Sequence, residues 1–221
     1  NAINLDGGGS TTLSYRGGII NSPSGGVQRA VANALLVFAK PVAAEELAGL
    51  AINAPADGIP AGEITQLSLT CGEDAHPVPQ DQAGKVVWAS TNGMGFVDQQ
   101  GCSMPVRVRH GQILAFYGAQ QVACDVRIVA GPPARLDVRV APDKENPLLA
   151  KAVVSLADKN NNSCSGKPVT LTVTGGKADV ETGVTGERGE FVTNIAWDAS
   201  ATERSVKATC GTLSASAAPT P

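Results

Sequence analysis

The chain has 221 residues, 43% of them apolar and 17% charged, with a formal net charge of −3 and only four Phe, two Tyr and two Trp. Neither a phosphate-neutralising basic stripe nor an aromatic stacking platform is present, so nucleic-acid binding is not expected. No stretch of about 18 apolar residues occurs, which leaves no candidate for a membrane-spanning helix; no cofactor is implied, and no signal peptide is seen, which a chain that starts inside a domain could not show in any case.

The first element in chain order is a short apolar strand, Ala2 to Leu5, which delivers the Asp6 carboxylate at its end. Gly7, Gly8 and Gly9 follow, a run that turns tightly and leaves its amide N–H groups uncovered, so that it can cradle an anion. Ser10, Thr11 and Thr12 add hydroxyls. Thr12 to Ser14, Arg16-Gly17-Gly18 and Ile19 to Asn21 read as strand, turn, strand. Beyond them come Asn21-Ser22-Pro23-Ser24, Arg29 and the apolar run Val31 to Phe38, read as a strand.

The order Asn4-Leu5-Asp6-Gly7-Gly8-Gly9-Ser10-Thr11, a hairpin, Asn21-Ser22-Pro23-Ser24, then Arg29 before a hydrophobic strand resembles the C-terminal end of the phosphodiester glycosidase family, whose uncovering-enzyme members remove N-acetylglucosamine from a phosphodiester. The resemblance covers about residues 1–39. It implies that the chain begins inside an α+β hydrolase domain. Asp6 and Ser10 are then the catalytic candidates, with Asp6 as acid/base or as polar anchor for sugar hydroxyls. Gly7, Gly8, Gly9 and Thr11 would offer donors to the phosphate, and Arg29 a planar guanidinium matched to its oxygens. Two bland readings stand beside these: Asp6 as a turn cap, and Arg29 paired with a nearby carboxylate. Asn21, Ser24 and Asn33 either line the site or hold the loop through side-chain to backbone hydrogen bonds.

After Phe38 the texture changes to Gly, Pro, Thr, Ser and Val, with short alternating segments between turn signals about every ten residues, as in antiparallel β-sandwiches. One or two turns of helix are conceivable at 43–48. Gly131-Pro132-Pro133 marks the best internal boundary, because prolines lack N–H donors and favour an extended connector. The expected domains are therefore 1–39, 40–131 and 132–221, and the fold class mainly β: the last strands of an α+β glycosidase domain followed by two tandem immunoglobulin-like sandwiches.

Both later segments follow one plan, which reads as a tandem duplication. The first places strands at Gln66–Cys71, Gly84–Trp88 and Gln121–Ile128; the second at Ala152–Ala157, Gly166–Val173 and Val206–Cys210. Lys167 to Val173 and Thr185-Gly186-Glu187-Arg188-Gly189-Glu190-Phe191 resemble the bacterial immunoglobulin-like domains of intimin- and invasin-type surface proteins. In that family a Thr-x-x-x-Gly turn closes a hairpin, which Gly186 and Gly189 fit. The Asn92 to Asp98 segment of the first half matches more loosely.

The five cysteines form no Cys-x-x-Cys pair, and His76 and His110 lack zinc-ligand spacing, so no metal site is expected. Disulfides are the better reading and would imply an oxidising, extracytoplasmic setting. In the last segment Cys164 and Cys210 are the two cysteines, and they are expected to pair, tying the loop that begins at Asp158 to the last strand. In the first sandwich, strand alternation favours Cys71–Cys124 with Trp88 on the strand between, and Cys102–Cys124 is the rival; the leftover thiol would link to another chain or stay buried. Asp158 with Asn160, Asn161 and Asn162 lacks the Gly and bidentate Glu of an EF-hand register and reads as a solvated turn. Asp137 with Arg139, and Glu187-Arg188, read as solvent-facing charges; Trp88 and Trp197 read as core anchors.

The functional expectation is the C-terminal part of a secreted or surface-attached hydrolase of sugar phosphodiesters, completed by upstream residues or a second chain. The alternative is a non-catalytic envelope or adhesive protein, contacting cell-envelope glycan, in which the glycosidase-like segment serves assembly.

Overall fold

A two-residue turn at Arg16-Gly17 makes the first hairpin of the chain's described residues. Both residues have positive φ, 46° and 85°, the combination that a type I′ hairpin needs to follow strand twist. It joins β1 (Ser14–Tyr15) to β2 (Gly18–Ile19). The computed structural model describes residues 8–32, 34–38, 46–91 and 93–219. Within it the chain divides into two units, Asn1–Val129 and Ala130–Pro221.

The first unit continues with β3 (Ala51–Asn53), β4 (Ile59–Pro60), β5 (Thr65–Gln66), β6 (Ser68–Cys71), β7 (His76–Pro77), the single helical turn α1 (Gln80–Ala83), β8 (Val86–Ser90), β9 (Phe96–Val97), β10 (Cys102–Met104), β11 (Arg109–Tyr117) and β12 (Gln120–Val129). Its main sheet runs β1-β2-β8-β11-β12-β4, flanked by the three-stranded sheets β5-β10-β9 and β3-β6-β7. Ile59, Leu67, Trp88, Met94, Ile113 and Ile128 belong to one buried core. Successive side chains of β11 point to opposite faces. Ile113, Ala115 and Tyr117 enter that core, whereas Leu114 and Phe116 form a second cluster with Ala89, against which Tyr15 and Ile20 pack. The hairpin of the N-terminal segment is thus the cover of the sheet's other face.

The second unit comprises β13 (Pro133–Pro142), β14 (Leu149–Asp158), β15 (Pro168–Thr174), β16 (Gly176–Ala178), β17 (Thr182–Val184), β18 (Glu190–Trp197), β19 (Ser205–Cys210) and β20 (Leu213–Ala217). Two four-stranded sheets, β13-β14-β18-β16 and β17-β15-β19-β20, contribute the residues of one core. Taking β13, β14, β15, β18, β19 and β20 as strands A, B, C, E, F and G, this is the A-B-E and C-F-G partition of an immunoglobulin-like sandwich. The alternation of β18 is complete: Phe191, Thr193, Ile195 and Trp197 are buried, and the residues between them exposed.

The protein is mainly β, as the sequence predicts, and Trp88 and Trp197 are buried core residues. Several expectations need correction. The two units do not share a sheet plan, so the repeated segments do not build one duplicated topology. Residues 34–38 are not a strand: Leu35, Leu36, Val37 and Phe38 are 86%, 70%, 87% and 88% exposed. Most of the helix considered at 43–48 lies outside the described residues, and 46–48 are not helical. The turn at 158–162 is solvated only in part: Lys159 and Asn161 are exposed, but Asp158 is only 2% exposed. Arg139 is exposed and Asp137 partly so, as expected of solvent-facing charges, and Asp137 pairs with Arg135 at 2.7 Å.

Candidate functional site

Gly8, Gly9 and Ser10 form one turn of 3-10 helix, closed by the Thr11 N–H donating to the Gly8 carbonyl at 3.3 Å. Gly8 has φ +67°, and a Cβ there would lie 3.6 Å from the Ser24 Oγ, so this turn rests against the Pro23–Gly26 turn. Ser10 is half-buried, Thr11 exposed and Arg29 exposed. Asp6, Gly7 and Asn33 lie outside the described residues. Of the sequence-predicted site residues, Gly8, Gly9, Ser10 and Thr11 are therefore brought together by local chain geometry.

Asn21 has a defined structural role. Its Oδ1 accepts the Leu13 N–H at 2.8 Å and its Nδ2 donates to the Thr11 carbonyl at 2.8 Å, extending the hairpin ladder by side chain. The hairpin then seats on the main sheet through Ile19 opposite Ser90. Tyr15 meets Phe116 edge-on at 5.0 Å between ring centroids, and the Arg16 guanidinium lies 5.3 Å from the Tyr15 ring and 6.0 Å from the Phe116 ring.

Where the N-terminal segment meets the sheet, a cavity of about 220 Å³ opens. Ser22, Ser24, Ser90 and Thr91 give it hydroxyls, and Phe96 and Met104 give it apolar walls. Among the described residues, none that lines it is titratable. Two of the hydroxyls are already spent on backbone: Ser90 Oγ donates to the Gly95 carbonyl at 2.8 Å, and Thr91 Oγ1 accepts the Gln112 N–H at 3.0 Å.

All five cysteines are thiols in this structure, so the expected pairs are not joined here. Cys71 ends β6 opposite His76, while Cys124 sits on β12 opposite Ile113, in a different sheet. Cys102, the rival partner of Cys124, lies on β10 and donates its thiol to Gln66 Oε1 at 3.2 Å. Desolvation first, and the Asp98 carboxylate second, push the Cys102 thiol above its ordinary pKa; desolvation and Asp125 do the same for Cys124. Neither Cys102 nor Cys124 gains thiolate character from its surroundings. Among the described residues no group of three or more His, Cys, Asp or Glu is arranged to hold a metal ion.

Two polar centres of the second unit were not recognised in the sequence as buried. Asp158 Oδ1 accepts the N–H groups of Asn160 at 2.8 Å and Asn162 at 2.9 Å, while Oδ2 accepts the Gly131 N–H at 3.0 Å and Asn162 Nδ2 at 2.8 Å. Burial opposes ionisation of this carboxyl, yet the side-chain bond from Asn162 and the three backbone donors outweigh it and hold the pKa below the ordinary value. Thr185 is the second centre. It donates to the Cys164 carbonyl at 2.6 Å and accepts the Lys167 N–H at 3.0 Å, tying the Thr-x-x-x-Gly turn to the loop before β15. Only the Asp-x-Asn-x-Asn spacing and the lone Thr before Gly186 signalled these knots.

Against known proteins, the model of the phosphodiester glycosidase family matches residues 1–38. No curated protein matches. Among solved structures, domains 4 and 5 of the S-layer protein SbsC match at 17% identity over 78% of this chain and 96% of that one, with a TM-score of 0.32. The D00-D0 domain of intimin matches at 11% over 78% of this chain and 100% of that one, with a TM-score of 0.41. The Escherichia coli adhesin FdeC matches at 16% over 80% and 66%, with a TM-score of 0.48.

Proposed function

We propose that this chain is a structural module of an extracytoplasmic cell-envelope or adhesive protein, in which the glycosidase-like segment serves assembly. The observation that carries this reading is the seating of the β1–β2 hairpin: it extends the main sheet at β8 and covers Leu114 and Phe116, so the segment acts as part of the sandwich. The cavity beside it agrees with a holding role, since two of its hydroxyls hold backbone.

A second reading has its own support. The family match over residues 1–38 favours a hydrolase of sugar phosphodiesters, with Asp6 and Ser10 catalytic and Gly7, Gly8, Gly9, Thr11 and Arg29 binding phosphate. One assay separates the two. The full-length protein that contains this chain is incubated with a model N-acetylglucosamine phosphodiester beside its Asp6→Asn variant, with circular dichroism as the folding control. The structural reading expects release at the buffer rate from both proteins. Turnover by the wild type that is lost in Asp6→Asn, where the amide keeps shape but cannot transfer a proton, would replace it with the hydrolase reading.

A further inference from the structure

We infer that Cys164 and Cys210 are a disulfide-forming pair, a covalent modification site that staples the loop before β15 to the end of β19. They are the only two cysteines of the second unit. Cys164 is fully buried within its core, and Cys210 packs against the same cluster. The backbone holds both in place. The Cys164 N–H donates to the Leu156 carbonyl at 3.0 Å, its own carbonyl accepts the Thr185 hydroxyl, and its Sγ lies 3.6 Å from the Gly131 carbonyl oxygen. Cys210 lies one residue beyond the Thr170↔Thr209 pair of β15 and β19, at the tight turn into β20. It therefore sits at the end of β15 from which the chain runs back to Cys164.

The thiols also sense one another. Desolvation chiefly, then the Asp158 charge, raise the Cys164 pKa; a Cys210 thiolate raises it further while Lys167 lowers it. Cys164 is thus a poor initiator, and the chemistry starts at the more exposed Cys210. With oxidised glutathione as oxidant, the Cys210 thiolate attacks one sulfur of the glutathione disulfide, forming a mixed disulfide and releasing one glutathione thiolate. Cys164, on losing its proton, attacks the Cys210 sulfur, and the second glutathione leaves. Two protein thiols lose two protons and two electrons, and one glutathione disulfide becomes two thiols.

The test is refolding of the full chain from denaturant in a glutathione redox buffer, where both sulfurs are accessible, followed by alkylation in denaturant and peptide mapping. The expected result is a Cys164–Cys210 peptide that resists alkylation, and slower proteolysis of the second unit by about tenfold or more relative to the reduced protein. Cys164→Ser should instead accumulate glutathione on Cys210, which has lost its resolving thiol. Full alkylation of Cys164 and Cys210 after oxidative refolding, or linkage of either to Cys71, Cys102 or Cys124, would overturn the assignment.

Discussion

At the scale of single residues, the second unit is pinned by a charge that the sequence disguises as a surface turn. An Asp followed by Asn at every second position looks solvent-seeking, yet four donors converge on one buried carboxylate. Replacement by Asn keeps the shape but aims an NH₂ group at donors, leaving at least one buried polar group unpaired. Asp158→Asn should therefore lower stability by about 1–3 kcal/mol, read as the denaturation midpoint at neutral pH. The pH dependence follows from the direction of the shift. Since the folded carboxyl titrates below its unfolded value, its contribution is present above the unfolded pKa and is lost as pH falls through the folded pKa. Acid titration of the wild type should show this loss below the ordinary carboxylate range, and the loss should shrink in Asp158→Asn. Equal acid sensitivity in both proteins would place the responsible group elsewhere.

At the scale of elements, the N-terminal hairpin shows two adjacent glycines required for different reasons. Gly17 needs its positive φ but has open space around it, whereas a Cβ on Gly18 would stand 2.6 Å from the Ala89 Cβ and 3.0 Å from Leu114 Cδ1. Gly17→Asn, a residue that tolerates left-handed backbone, should cost less than about 1 kcal/mol. Gly18→Val should cost about 1–3 kcal/mol by overpacking and lift the hairpin from β8, seen as faster hydrogen exchange at Ile19 and Ser90. Equal effects of the two substitutions would mean that the hairpin does not seat closely on the sheet. The turn itself was legible in Arg16-Gly17-Gly18, because positive φ has a residue signature. What covers the sheet was legible only indirectly. The unbroken apolar run Ile113 to Tyr117 fits a strand buried on both faces, but nothing in its pattern names the hairpin as its cover. Residues 34–38 mislead in the opposite way, since apolar sequence there comes without a partner strand among the described residues.

At the scale of the whole molecule, the mainly β class and the strands β14, β15 and β19 of the second unit were readable from short alternating segments between turn signals, whereas β18 was not among the expected strands although its alternation from Glu190 to Trp197 records one buried face directly. The sheet plan of the first unit was not readable, since its strands are often two or three residues long and its order is set by pairings distant in sequence, such as Ile59 beside Ile128. The division after Val129 separates two self-contained sets of buried residues. Leu136 through Ala208 form one cluster, and the clusters built on Ile113 and on Phe116 fall wholly before it. Folding free energy comes mainly from burial within such a core, so each unit should unfold as its own cooperative transition. Calorimetry of the full chain should then resolve two transitions, and a fragment spanning 130–221 should fold alone with its midpoint within about 5 °C of one of them. Gly18→Val should move only the other transition, and Asp158→Asn only the one shared with the fragment. A single transition shifted by both substitutions, or a fragment that fails to fold, would show that the two cores depend on each other for stability.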